Sequence, residues 1–376
     1  MNKWITGSMI TFFLVACACS TQPVETSGLV LQPFAPFEVR DDMIPLIQNW
    51  GGTTLKIFDP SQDKIAGEIS FASRNGGYII GAAIGNGKIY VINEGNPRYP
   101  ATEIYVVYPA QGKGKTISMG KTPKGGIIGI HPFSVMYAKK FKRFFIEEAW
   151  MGTYMIFDGE NDTYLGYIKN EWTKGVLFNV LPFWSWEDEE GIIYGYSINE
   201  KKKNYIVKFD VISQEIFPWR EIEEGEIAGN RQWYYYLDAW VANLRHSSLV
   251  LTSNYLCCAF FGNHYLYIYS RNDKTLLTQV CISNEESYIS TPSCAYVLDC
   301  YAPSNWIFVG IRTNWQTGQD SAVCHLIDLN TMKDTRVLPY EDRFLVQGSK
   351  IYVKWSDRIE VYSITNLDEK IATISF

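Results

Sequence analysis

The chain has 376 residues, 47% of them apolar, and carries 34 Lys and Arg against 40 Asp and Glu for a net charge of −6 at neutral pH. That apolar share supplies one large core, and the acidic balance argues against a nucleic-acid binder, whose phosphate contacts demand clustered Lys and Arg. The four histidines, His131, His246, His264 and His325, are far apart and have neither an i, i+4 partner nor the cysteine spacing of a zinc site, so no metal and no cofactor is expected.

The first predicted element is a targeting segment. Lys3 precedes an apolar run from Trp4 to Ala16 that ends in "LVAC", residues 14–17. A membrane span needs about 20 apolar residues, and this run is shorter. Small Ala16 beside Cys17 is the cleavage pattern of bacterial lipoprotein signals. Residues 1–16 are therefore read as a signal peptide and Cys17 as the lipid attachment site, with Cys19 lacking the large aliphatic residue that such processing prefers. Residues 17–28, with the polar "STQPVETSG", form a tether that cannot bury a core. Residues 29–376 form the folded domain. The expected location is the bacterial cell envelope, lipid-anchored, at the outer membrane facing the periplasm.

The next elements recur. Seven phrases align along the chain: "TLKIFDPSQDKIAGEI", "EIYVVYPAQGKGKTIS", "TYMIFDGENDTYLGYI", "NYIVKFDVISQEIFPW", "HYLYIYSRNDKTLLTQV", "VCHLIDLNTMKDTRVL" and "RIEVYSITNLDEKIATI". Each has an alternating strand ending near an aromatic or aliphatic residue (Phe58, Tyr108, Phe157, Phe209, Tyr269, Ile327, Tyr362), then a polar turn and a second strand. Two further short strands precede most phrases, as in "GYIIGAAIGNGKIYVIN" before the second. Four strands in a period of about 40 to 50 residues predict an all-β fold, a single β-propeller of four-stranded antiparallel blades. Each phrase is the outer hairpin of one blade, and seven blades are favoured over six. The segment "VMYAKKFKRFFIEEAW", residues 135–150, has helix formers but parses better as strand, basic turn and strand. Lys201, Lys202 and Lys203 mark another turn between strands. The first blade must recruit residues around "FEVRDDMIPLIQNW", 37–50.

Together, the lipobox at Cys17, the hairpins of "hYhhD" type across the mature chain and "MGKTPKGG", Met119 to Gly126, resemble the TolB-like propeller lipoproteins of Bacteroidetes. That resemblance implies a six-bladed envelope propeller, and it supplies no catalytic residue. No acidic export stretch follows Cys17 in "ACSTQPVE", which favours the periplasmic face.

One further echo suggests a site. "YYLDAW", residues 235–240, matches "YVLDCY", residues 296–301, which would place Asp238 and Asp299 at equivalent positions on neighbouring blades. One blade earlier "FWSWEDEEG" puts Glu187 or Asp188 near the same height. Carboxylates at one level, with Trp186, Trp240 and Trp315 to stack on a ring-shaped ligand and Arg231 and Arg312 to bind opposing charge, form a candidate ligand site. The competing reading is that such aspartates cap turns and such tryptophans fill the space between blades. His264 and His325 fall in corresponding strands, where ordinary packing is expected. Cys257, Cys258, Cys281, Cys294, Cys300 and Cys324 are as readily buried thiols as bridges; Cys257 and Cys258 should face opposite sides of one strand. The expected function is a non-enzymatic binding or scaffold module for a glycan, peptide or envelope protein. The alternatives are a glycan hydrolase or lyase using paired carboxylates, and a structural subunit of an outer-membrane assembly.

Overall fold

The computed structural model describes residues 28–47, 52–93, 101, 103–119, 132–148, 153–167, 186–187, 190–198, 203–223, 249–259, 265–282, 295–313, 321–339, 343–355 and 357–375. They form seven four-stranded antiparallel sheets, the blades of one propeller. The first contains β1 (Gly28–Leu31), β2 (Ile44–Ile47), β3 (Thr54–Asp59) and β4 (Lys64–Arg74). The second runs β5 (Ile79–Gly85), β6 (Lys88–Asn93), β7 (Glu103–Tyr108) and β8 (Lys113–Ser118). The third runs β9 (Pro132–Ala138), β10 (Arg143–Glu148), β11 (Thr153–Asp158) and β12 (Thr163–Tyr167). The fourth runs β13 (Trp186–Glu187), β14 (Ile192–Ile198), β15 (Asn204–Asp210) and β16 (Glu215–Glu221). The fifth runs β17 (Leu249–Leu251), β18 (Tyr255–Ala259), β19 (Tyr265–Ser270) and β20 (Leu276–Cys281). The sixth runs β21 (Ala295–Tyr301), β22 (Trp306–Thr313), β23 (Ser321–Asp328) and β24 (Lys333–Pro339), and the seventh β25 (Arg343–Gln347), β26 (Lys350–Lys354), β27 (Arg358–Ser363) and β28 (Lys370–Ser375). All seven sheets thus lie within residues 28–375.

Burial orders the strands from axis to rim. First strands of adjacent blades pack on one another, β5 on β9, β17 on β21 and β21 on β25. Second strands such as β6 are buried along their length, and fourth strands such as β8 and β28 expose most of their residues. The core is a series of inter-blade layers rather than one nucleus. Between the second and third blades, for example, Tyr90 stacks on Phe144 at 4.0 Å and Phe144 on Phe157 at 4.6 Å. Each such pair contributes roughly 0.5–1.5 kcal/mol beyond area burial.

The repeated phrases are the third and fourth strands, as the sequence pattern implies, and a local device explains why they recur. Asp59, Asp158, Asp210 and Asp328 each end a third strand, and each carboxylate accepts the backbone N–H two residues on, from Ser61, Glu160, Ile212 and Asn330 at 2.8–2.9 Å. This side-chain turn bends the chain into the outer hairpin. The turn closes on a left-handed residue, Asp63, Asp162, Gln214, Lys274 or Met332, with φ between 50° and 63°. In the second blade Tyr108 stands where Asp59 stands in the first, so Val107, not Tyr108, is the counterpart of Phe58; a short 3-10 turn at Pro109–Gln111 replaces the aspartate turn. Within the segment first weighed as a helix, residues 135–148 form a hairpin of β9 and β10. Seven sheets also replace the six that the family resemblance implied.

The first blade departs from the others. Its order is β1-β4-β3-β2, so the chain-order first strand lies at the outer end. β1 pairs with Phe71–Arg74, the part of β4 beyond its pairing with β3. Residues 32–40 then run as a strap over the rim. Phe37 lies where a side chain on Gly67 of β4 would stand, and Leu31 packs over Gly114 of β8, so both glycines are needed for the close approach. The strap ends at Arg40, whose guanidinium bonds Asp59 at 2.7 Å.

Candidate functional site

Strand alternation divides the connections between two faces. One face carries the turns between first and second and between third and fourth strands, all short; the longest joins β27 to β28 through residues 364–369. The opposite face carries the strand ends at which the chain leaves one blade and enters the next, such as Ser118 and Pro132, Glu221 and Leu249, and Cys281 and Ala295. The sequence between Glu221 and Leu249 contains Arg231, Trp233, Tyr234, Tyr235, Tyr236 and Trp240, two of which, Arg231 and Trp240, are candidates from the sequence.

Of the candidate residues, Asp299 is the one whose side chain is described. It lies in β21, near the short-turn end, and pairs across to Phe308. Its Oδ1 accepts the N–H of Cys300 at 2.8 Å and its Oδ2 that of Val346, in β25 of the next blade, at 2.7 Å. On the other side the Cys300 thiol points at the Leu251 carbonyl of β17, 3.9 Å away. β21 is thereby tied to the first strands of both neighbouring blades. Burial pushes the Asp299 carboxyl up to about 6, against the two backbone donors that favour its charged form. No second carboxylate contributes to that shift.

The register identifies the described residues that share the level of Asp299. Counting from the end of each third strand, the positions equivalent to Asp299 are Ala83, Met136, Trp186, Val250 and Leu345. The counterpart in the preceding blade is Val250, in the strand Leu249–Leu251. Trp186 shares the level of Asp299 on the fourth blade, and Glu187 is one residue off it. Arg312 pairs with Ala295, four residues from Asp299 along β21 or roughly 13 Å, toward the long-connection face. Asp188, Arg231, Asp238, Trp240, Trp315 and Cys17 lie outside the described residues, as do His264, Cys294, Lys201 and Lys202.

Other polar features are structural. His325 bonds Asp334 at 2.6 Å within the sixth blade. Cys257, Cys300 and Cys324 are free thiols, and burial pushes those of Cys257 and Cys324 well up, while Cys300 is raised to about 12. Among the described residues, no group of three or more His, Cys, Asp or Glu is placed to hold a metal ion.

A constellation not anticipated from the sequence binds adjacent blades. Lys88 of β6 donates to the Gly159 and Glu160 carbonyls and to Asp162, each at 2.8–2.9 Å, and Tyr90 bonds the Gly159 carbonyl at 3.0 Å. Asp162 also receives Tyr108 at 2.5 Å and Lys115 at 3.0 Å. The same arrangement joins the seventh blade to the first, where Lys350 pairs with Asp63 and Tyr352 bonds the Pro60 carbonyl at 2.8 Å. The sequence signal was present as "KIYV" at both 88–91 and 350–353, facing the two turns whose left-handed residue is aspartate.

No family model matches the chain, and no curated protein matches it. Solved structures do. A provisionally assigned 6-phosphogluconolactonase from Bacteroides uniformis superposes with a TM-score of 0.55 at 11% identity over 89% of this chain and 97% of that one. Hydrazine synthase of Kuenenia stuttgartiensis gives 0.56 at 11% identity over 92% and 98%. The dihydro-heme d1 dehydrogenase NirN gives 0.55 at 10% identity over 93% of this chain, which spans 66% of that chain's length. At these identities the likeness is one of fold.

Proposed function

We propose that this protein is a lipid-anchored envelope propeller that binds a glycan, peptide or partner protein through its long-connection face and catalyses no reaction. The observation that carries this reading is the asymmetry of the two faces. One is closed by short turns whose carboxylates are engaged in capping the chain and clamping blades. The other carries the strand ends Ser118, Tyr167, Glu221, Leu249, Cys281 and Ala295, and of the sequence segments that join such ends, 222–248 is rich in Trp, Tyr and Arg. Recognition residues concentrate on loops held by a rigid frame, and stacking rings with arginine forks suit sugars and acidic groups. Among the described residues, the positions level with Asp299 are Ala83, Met136, Trp186, Val250 and Leu345, none of them a carboxylate, which supports binding over the paired-carboxylate chemistry of a glycosidase.

The reading is tested by screening residues 28–376 against immobilised glycans and peptides. Retention of a ligand that Trp240→Ala or Asp238→Asn abolishes, with melting unchanged, is the expected result. Turnover of a glycan instead of its retention would overturn it. Anchoring is tested separately: Cys17→Ser should release the protein from the membrane fraction or leave it unprocessed, and Cys19→Ser should not.

A further inference from the structure

The strap of residues 32–40 fills a groove at the rim between the first and second blades, and the same groove recurs two blades on. β4 is bulged at Ala66, which stands unpaired between the pairs Phe58–Ile65 and Ile57–Gly67. β12 is bulged at Leu165, between the pairs Phe157–Tyr164 and Ile156–Gly166. The segments "IFDPSQDKIAG" and "IFDGENDTYLG" therefore align residue for residue, with Gly67 and Gly166 at one position. Ile65 packs toward the seventh blade and Ala66 toward the second; Tyr164 packs toward the second blade, which turns Leu165 toward the fourth.

The two grooves differ in what lies over them. In the first, the Phe37 ring stands 2.5 Å from where a Cβ on Gly67 would be and meets Phe34 edge-on at 6.2 Å. The Phe37 N–H donates to the Pro109 carbonyl, in the turn of the second blade, at 3.2 Å. Phe34, Phe37, Val39 and Ala66 thereby extend the apolar layer between those blades. In the second groove no described residue lies within 4 Å of a Cβ on Gly166, whose φ of 144° also favours glycine. Leu165 is 41% exposed there, and Ile212, in the turn of the fourth blade at the position of Ala110, is 64% exposed. One exposed apolar residue is ordinary on a protein surface. Two at a seat that the same chain elsewhere covers with phenylalanines point to a contact surface.

We propose that the rim between the third and fourth blades binds an extended segment of a partner protein, with an aromatic side chain laid over Gly166 against Leu165 and Ile212, as Phe37 is laid over Gly67. The chemistry of the partner segment follows from the strap. An extended chain leaves its N–H groups free to bond the neighbouring turn, as Phe37 bonds Pro109, and prolines such as Pro33 and Pro36 hold it extended at low entropic cost. The charged end differs. Arg40 caps Asp59, but Asp158 already holds Arg143 at 2.6 Å, so the partner segment needs the aromatic residue and no arginine. This seat lies on the rim and does not rest on the binding reading given above.

The probe is a fluorescently labelled peptide of sequence QPFAPFEV, residues 32–39 without Arg40, titrated against residues 28–376, which contain all seven sheets, and followed by anisotropy. Saturable binding with a Kd below about 1 mM is expected. Leu165→Glu and Ile212→Glu should each weaken it about tenfold or more, since each sets a charge against an apolar ring. A peptide with Ala in place of both phenylalanines should not bind. Leu277→Glu is the control: Leu277 is the bulged residue of the fifth blade and 48% exposed, but Thr278 follows it where the glycines stand. That variant should bind as wild type does, and circular dichroism and melting should be the same for all three. No saturation by about 1 mM, equal weakening by Leu277→Glu, or binding insensitive to both Leu165→Glu and Ile212→Glu would each overturn the proposal, the last because the peptide would then have displaced the strap from the first blade. Dimerisation without peptide that Leu165→Glu abolishes would assign the seat to a second copy of the chain and overturn the partner segment.

Discussion

At the scale of single residues, Asp299 shows why a titrating carboxylate is not by itself a binding site. Its two oxygens are spent on backbone N–H groups, one of them in the next blade, and its raised pKa comes from burial. The folded state therefore takes up the proton near pH 6, before the unfolded chain does near pH 4. The cost of burying the charge is in full force above pH 6 and is relieved as pH falls from about 6 to 4; below that the contribution is constant. Asp299→Asn keeps an acceptor for Val346 and removes the charge. It should be as stable as wild type or more so at pH 7 by urea unfolding, and the difference should vanish near pH 4; a variant destabilised at both values would show that the charge itself holds β21 to β25. The sequence showed the carboxylate but not its partners, because Val346 is 47 positions away and its free N–H is set by how two blades meet.

At the scale of elements, the outer hairpin was the most legible feature of the chain. Period-two alternation and a turn-forming aspartate are both local, so "IFDPSQDK" and "IFDGENDT" declare themselves without tertiary information. Where the aspartate is replaced, at Tyr108, the alignment slipped by one residue. Inner strands were less legible: β13 and β17 span only Trp186–Glu187 and Leu249–Leu251, too short to alternate, and "YYLDAW" imitated the pattern of β21. The hairpin device predicts an order of sensitivity. Asp210 accepts N–H groups from Ile212 and Ser213, so Asp210→Ala should cost about 1 kcal/mol. Asp158→Ala also frees Arg143 and should cost more. Asp59→Ala should cost most, since that fully buried carboxylate binds Arg40, Ser61 and Gln62. The Arg40 guanidinium holds the Asp59 carboxyl down at about 2, so its contribution is present above pH 4 and lost as pH falls toward 2. Urea midpoints of the three variants, and the acid limb of the wild type against Asp59→Asn, check both statements.

At the scale of the whole molecule, the ring closes without a sheet shared between the two ends of the chain. β28 completes the seventh blade and β1 lies on the first, and the described contacts across the junction are made from side chains: Phe58 edge-on to Tyr352 at 5.3 Å, the Tyr352 hydroxyl on the Pro60 carbonyl at 2.8 Å, a shared cluster of Leu46, Ile359 and Val361, and the pair Lys350 and Asp63. The same lysine and tyrosine pattern between the second and third blades is more deeply buried, Lys88 and Asp162 being 11% and 3% exposed against 29% and 27% for Lys350 and Asp63. Asp162→Ala, which strands buried Lys88, should therefore cost roughly 3–5 kcal/mol. Asp63→Ala should cost only about 1–2 kcal/mol. Its effect should concentrate in the first and seventh blades as faster hydrogen exchange, and uniform exchange across all blades would show that the junction is no weaker than the rest of the ring.

The strap gives the molecule a mechanical property. Force applied through the chain ahead of Gly28 falls first on β1, four residues paired with Phe71–Arg74, and next on the grip of Arg40 on Asp59. The four-strand order of the first blade keeps β2, β3 and the inner half of β4 out of that line of load. If the chain is held through residues ahead of Gly28, as proposed, a pull there should peel the outermost strand and let out the strap of residues 32–40 before it loads the ring, so that β1 serves as a fuse.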